Sequence, residues 1–185
     1  REIEELKKKV EKVLRELRKS SEEMKRRVED LIRRLKKSSK DLERKVKDLL
    51  KKAEEKVRRD GTTDELKRRL EKEARDLERE LRKHDEDVER KVRKLKEELK
   101  RHNEEVEDII RRVEEELKRV ADKIDDEEAR RRLEEVVRRL RKVLDDVRKI
   151  NKEVVDRLKK ALDEVKRTNE DVVRDLRKVL EELKT

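Results

Sequence analysis

Apolar residues recur at steps of three and four along almost the whole chain, from Ile3, Leu6, Val10 and Leu14 to Val179, Leu180 and Leu183. That spacing predicts amphipathic α-helix rather than strand. The stripe breaks twice. The segment Arg59-Asp60-Gly61-Thr62-Thr63-Asp64-Glu65 holds the only glycine. Gly61 suits the left-handed position that ends a helix, and Thr62 followed three residues later by Glu65 reads as a capping box. The second break is Asp125-Asp126-Glu127-Glu128, where Asp125 is a candidate cap answered by Glu128. Carrying the second stripe forward from Val120 by eighteen positions lands on Arg138, not on Val136 and Val137. Two residues of slip at about 100° per residue turn the face by about 200°. A turn accommodates that slip, and one continuous helix does not.

The chain is therefore expected to be all-α: one domain over residues 1–185, an antiparallel up-down-up three-helix bundle. Helix 1 is expected at about 2–59, a turn at 60–63, helix 2 at about 64–124, a turn at 125–126 and helix 3 at about 127–184.

The period of the stripe adds more. Leu14, Ile32 and Leu50 are spaced by eighteen positions, as are Leu81, Leu99 and Leu117, and Leu140, Leu158 and Leu176. That step makes five turns of 3.6, so such a stripe runs straight along an unstrained helix, whereas a heptad seam would impose a left-handed supercoil. The expectation is an untwisted coiled coil of straight helices, each on the order of 85 Å long.

The same stripes carry polar residues: Ser20 and Ser21, Ser38 and Ser39, His84, His102, Asn151, and Thr168 with Asn169. The serine pairs, the histidines and the asparagines each recur at the same eighteen-position step. With helices running up, down and up, they converge on two cross-sections about 27 Å apart. One gathers Ser38, Ser39, His84 and Asn169, the other Ser20, Ser21, His102 and Asn151. Buried hydroxyl, imidazole and amide groups are costly unless each finds a partner, and this mixture supplies donors and acceptors together. Their inferred role is registry, because sliding a helix by one turn would strand them among leucines. Asp85 and Asn103 adjoin the histidines and either extend the layers or are simply solvated, the solvated reading being favoured.

Composition narrows the function classes. The chain has 63 Lys or Arg, 53 Asp or Glu, no aromatic residue, no proline and no cysteine. So much charge would normally signal disorder, but Leu, Val and Ile make up 49 of 185 residues, enough and evenly enough spread to build a core. No stretch approaches the ~20 apolar residues of a membrane span, and none reads as a signal peptide. Without cysteine there is neither a disulfide framework nor thiolate chemistry. The two histidines lie five helical turns apart on one helix, too far to share an ion, so no metal site and no cofactor is expected. Serine facing histidine invites a catalytic reading, but the layers are expected to be dry and lack a glycine-rich oxyanion loop, so no catalytic residue is assigned.

The net charge is +10, and nearly all of the excess sits in residues 1–60, with 24 basic and 15 acidic residues. Acidic residues are interspersed there and no aromatic can stack on a base, which argues against specific nucleic-acid binding.

The 18-residue repeats, the Glu/Lys/Arg surface, the Asp60-Gly61-Thr62 loop and the matched polar layers resemble those of de novo designed, parametrically generated helical bundles with buried hydrogen-bond networks. The resemblance implies a structural scaffold or assembly module with no natural biochemical activity and no natural location, soluble and cytoplasmic when expressed. No partner is required if the chain is monomeric. The alternative rests on doubled apolar positions such as Val13/Leu14, Leu49/Leu50, Val136/Val137 and Val172/Val173. These would line a groove between helices 1 and 3 for self-association or for an acidic partner helix, with the histidines making the assembly pH-responsive.

Overall fold

The computed structural model describes residues 2–59 and 63–184. Three α-helices account for nearly all of them: α1 (Glu2–Arg58), α2 (Asp64–Lys123) and α3 (Glu127–Lys184). Among the described residues there is no strand. Propensity alone would not hold helices of 57, 60 and 58 residues. Their stability comes from burying one apolar face along each, with charged residues on the other.

Of the turn expected at 60–63, residues 60–62 lie outside the described residues. On its far side, the amides of Leu66 and Lys67 close the first bonds of α2 on the Thr63 carbonyl. The second connection differs by one residue from the expected cap. Asp126, not Asp125, opens α3: its Oδ1 accepts from the Glu128 amide at 3.3 Å and its carbonyl from the Arg130 amide at 3.1 Å. A side-chain acceptor on the residue preceding the helix is worth about 1 kcal/mol. This connection lacks glycine, and Arg130 Nε donates to the Ile124 carbonyl at 3.2 Å, satisfying the end of α2 from outside the helix.

The chain divides into two compact units, each drawing on all three helices. Unit 1 is Arg1–Glu29 with Leu95–Arg157, and unit 2 is Asp30–Lys94 with Leu158–Thr185. In unit 1 the core holds Leu6, Val10 and Leu14 of α1, Val106 and Ile110 of α2, and Leu140 and Val147 of α3. In unit 2 it holds Val46 and Leu49, Leu70 and Leu81, and Val172 and Val179.

Helix directions follow from the cross-helix pairs. In unit 1, Glu11–Arg139, Arg18–Asp146 and Glu29–Arg157 advance together, so α1 and α3 run parallel. Ser21 meets His102 while Arg27 meets Glu98, so α1 and α2 run antiparallel. In unit 2, Ser39–His84 and Lys45–Glu80 give the same opposed sense for α1 and α2. This is the up-down-up arrangement.

Candidate functional site: two polar layers and their clefts

Each unit contains one of the two polar layers. In unit 1, Ser21 is fully buried and its Oγ is hydrogen-bonded to His102 Nε2 at 3.2 Å. In unit 2, Ser39 Oγ and His84 Nε2 are bonded at 2.9 Å. Neutral imidazole can accept from the hydroxyl or donate to it, according to its tautomer. Burial pushes both imidazoles below their usual 6.5. For His84 the carboxylates of Asp85 and Asp87 oppose that shift and Lys91 adds to it; for His102 only Glu105 opposes it.

The second member of each serine pair does not cross to another helix. Ser20 is half-buried and donates to the Leu17 carbonyl of its own helix at 3.4 Å. Ser38 is exposed. Thr168, also half-buried, donates to the Glu164 carbonyl of its own helix at 3.1 Å. Successive residues lie about 100° apart around a helix, so of two adjacent residues only one points fully inward.

The asparagines separate the layers. Asn169 is buried, and its Nδ2 donates to Asp85 Oδ1 at 2.5 Å. Asp85 is exposed, as the favoured sequence reading has it, and at the same time bonds Asn169 of the unit 2 layer, as the other reading has it. Burial raises the Asp85 carboxyl above its usual 3.8, against the pull of the Asn169 amide and of His84. Asn169 Oδ1 is enclosed without a partner. In unit 1, Asn151 is buried, yet its amide has no hydrogen-bond partner among the described residues. Asn103, which corresponds to Asp85 one repeat along α2, is half-buried with its Oδ1 unpartnered.

A cleft between α2 and α3 opens over each of these pairs, about 620 Å³ in unit 2 and about 350 Å³ in unit 1. The two are built on corresponding positions. Val88 and Val173 lie at the wall of the first, and Val106 and Val155, each one repeat away, at that of the second. At the rim of the smaller cleft, Arg148 donates twice to Glu107, at 2.9 and 3.0 Å, and that bond holds the Glu107 carboxyl below its usual range. The corresponding Lys166 and Glu89 of the larger cleft form no ion pair with each other among the described residues.

The doubled apolar positions of α3 also face α2. Val173 and Leu162 line the larger cleft, Val155 the smaller, and Val137 a third one of about 260 Å³ in unit 1. The cleft lined by α1 and α3 holds Ile3, Lys7, Val136 and Arg139 and is about 220 Å³. This cleft lies on the side where a groove between helices 1 and 3 is expected from the sequence. Among the described residues, no group of three or more His, Cys, Asp or Glu could hold a metal ion, and no helix is long and apolar enough to cross a membrane.

No family model and no curated protein matches the chain. Among solved structures it is similar to one described as a "Computationally designed three helix bundle", with a TM-score of 0.47 and 18% sequence identity. The match covers 99% of this chain and 92% of that one.

Proposed function

We propose that the chain is a designed structural scaffold in which the two polar layers hold the helices in one register. The observation that carries this reading is the recurrence of one cross-helix pair: Ser21 with His102 in unit 1, and Ser39 with His84 in unit 2. Sliding α2 along α1 by one turn would bring His84 opposite Leu35 or Leu42, both buried, and leave Ser39 facing an apolar side chain. An imidazole without a hydrogen-bond partner in such surroundings is strongly disfavoured, so the misaligned pairing is penalised in both layers at once.

The reading assigns no catalysis. Ser21 and Ser39 are 0% and 2% exposed, so the hydroxyl that meets each histidine is out of reach of a substrate. It calls for no metal, cofactor or partner chain. The cross-helix ion pairs support the same view of repeated construction: Glu11–Arg139 recurs one repeat on as Glu29–Arg157, and Arg18–Asp146 recurs as Lys36–Glu164.

Spin labels at Lys25 and Arg101, exposed positions on α1 and α2 of unit 1, test the register directly. The parent chain should give one narrow distance. A variant with apolar layers, in which Ser21, Ser39, His84, His102, Asn151 and Asn169 become Ala or Leu, should add populations displaced by about one turn, roughly 5 Å. A single unchanged distance in that variant would refute the registry role.

A further inference from the structure

We infer that the α2/α3 face of unit 2 is an interface for a second copy of this chain, docked with its helices parallel to those of the first. This goes beyond the registry reading, which stands whether or not the chain pairs. Leu162 and Val173 of α3 are only half-buried, and both line the cleft of about 620 Å³ on this face. Across the cleft, α2 offers Val88, which is already buried, and the charged Asp85 and Glu89. Nothing on α2 therefore covers the outer apolar edge of α3, and a second copy can.

Charge selects the occupant and its direction. The cleft has an acidic bank on α2, Asp85 and Glu89, and a basic bank on α3, where Lys166, Arg174 and Arg177 outnumber Glu170. In unit 1 the corresponding Glu107 and Arg148 neutralise each other within the chain. Glu89 and Lys166 are exposed, do not pair with each other, and have no other ion pair among the described residues. A face with one acidic and one basic bank is complementary to itself. A two-fold axis parallel to the helices sets α2 of one copy against α3 of the other, so each acidic bank meets a basic one. An axis across the helices would set α2 against α2 and α3 against α3, and like charges would meet.

Glu89 and Lys166 border the same cleft and so lie at the same height, which a parallel axis preserves. Glu89 of each copy then faces Lys166 of the other, and these two equivalent contacts flank Leu162 and Val173 of both copies. The net charge of +10 opposes self-association, but nearly all of the excess lies in residues 1–60. Those belong to α1, which does not line this cleft.

Sedimentation equilibrium of the full chain tests the proposal. The parent should pass from a 22.8 kDa monomer to a dimer with a Kd on the order of 0.1 mM, as suits a small interface. Glu89→Lys sets lysine against lysine at both contacts, and Lys166→Glu sets glutamate against glutamate. Each should weaken the dimer about tenfold. The two reversals change the net charge in opposite senses, so weakening by both cannot come from net charge. An equimolar mixture of the two variants restores opposite charges at both contacts and should recover the parent's affinity, as should one chain carrying both changes. Both positions are exposed, so each variant should unfold at the parent's denaturant midpoint. A mass of 22.8 kDa at every concentration up to about 1 mM, ten times the expected Kd, would overturn the proposal. So would a Kd that neither reversal changes, which is the result expected of antiparallel copies, or a mixture that associates no better than its components.

Discussion

The two α2/α3 clefts are built on the same positions, one repeat apart, and behave differently because of one side chain. Where α2 carries Asp85, the asparagine opposite is held by a short bond to a carboxylate. Where it carries Asn103, the asparagine opposite has no partner. A carboxylate presents only acceptors, so it orients the facing amide, and a hydrogen bond to a charged group is roughly twice as strong as one between neutral groups. Two carboxamides have no such fixed polarity. The rims reverse the pattern: Arg148 and Glu107 pair across the seam in unit 1, and Lys166 and Glu89 do not pair in unit 2. One unit is tied together beneath its cleft, the other above it.

The largest expected effect is one that should not distinguish the units. Leu140 and Leu158 occupy equivalent positions of successive repeats on α3, one in each unit, and are 1% and 2% exposed. Replacing either with alanine removes a fully packed side chain and should cost about 3 kcal/mol, measured by denaturant unfolding. Near-equal losses would place the contrast between the units in the polar positions. A difference of more than about 1.5 kcal/mol, half the expected loss, would show that the apolar packing differs too.

Next come the asparagines, for which opposite signs are expected. Asn169→Leu removes the charge-assisted bond to Asp85 and should destabilise by about 1 to 2 kcal/mol. Asn151→Leu removes a buried amide without a partner and should stabilise by about 1 kcal/mol. Two changes of the same sign would mean that the asparagines are equivalent after all.

Much of this was legible in the sequence, and the reason is periodic. A face that returns every five turns can be followed by counting, so the helices, their directions and the meeting of Ser39 with His84 and Ser21 with His102 all follow from one period. What counting does not reveal is angle at the resolution of a single residue. Asp85, about 100° from the stripe centre, is both exposed and bonded across the seam to Asn169, so the two readings of it are not exclusive and counting does not choose between them. It left open which member of each serine pair turns inward. It assigned the doubled apolar residues of α3 to the side shared with α1, where Val136 lies, although Val155, Leu162 and Val173 line the clefts with α2. Stripe width records how much of a helix is buried, not which neighbour buries it. The cap at Asp126 instead of Asp125 has a similar origin, since either aspartate satisfies the local pattern.

Acid should weaken both layers, and unit 1 more. Burial holds His84 and His102 below 6.5 in the folded chain, so the folded state binds fewer protons than the unfolded one as pH falls. The stability these groups contribute is complete above 6.5 and is lost as pH falls through their depressed folded values. Asp85 works in the opposite direction: its carboxyl lies above 3.8, so its contribution is complete below 3.8 and lost as pH rises through the folded value. Asp85 and Asp87 also ease the protonation of His84 and Lys91 opposes it, whereas beside burial His102 has only Glu105. Denaturant midpoints measured from neutral pH downward should therefore fall, and His102→Gln should remove more of that fall than His84→Gln. An equal effect of the two substitutions would show that the neighbouring carboxylates do not set the difference.

The smallest effect concerns the rim. Glu107 and Arg148 are both about half exposed, with side-chain exposures of 53% each, so water and salt screen their attraction. Glu107→Gln should change stability by less than about 0.5 kcal/mol despite the doubled bond, and the change should vanish in high salt. Its value lies in what it does to the cleft beneath. If the pair acts only at the surface, the Asn103 and Asn151 amide resonances should stay where they are while the unfolding midpoint barely moves. If it holds α2 and α3 at the spacing that keeps the two carboxamides apart, loosening it should shift both resonances together. The difference between the units would then arise from the rim as much as from the exchange of aspartate for asparagine at its base.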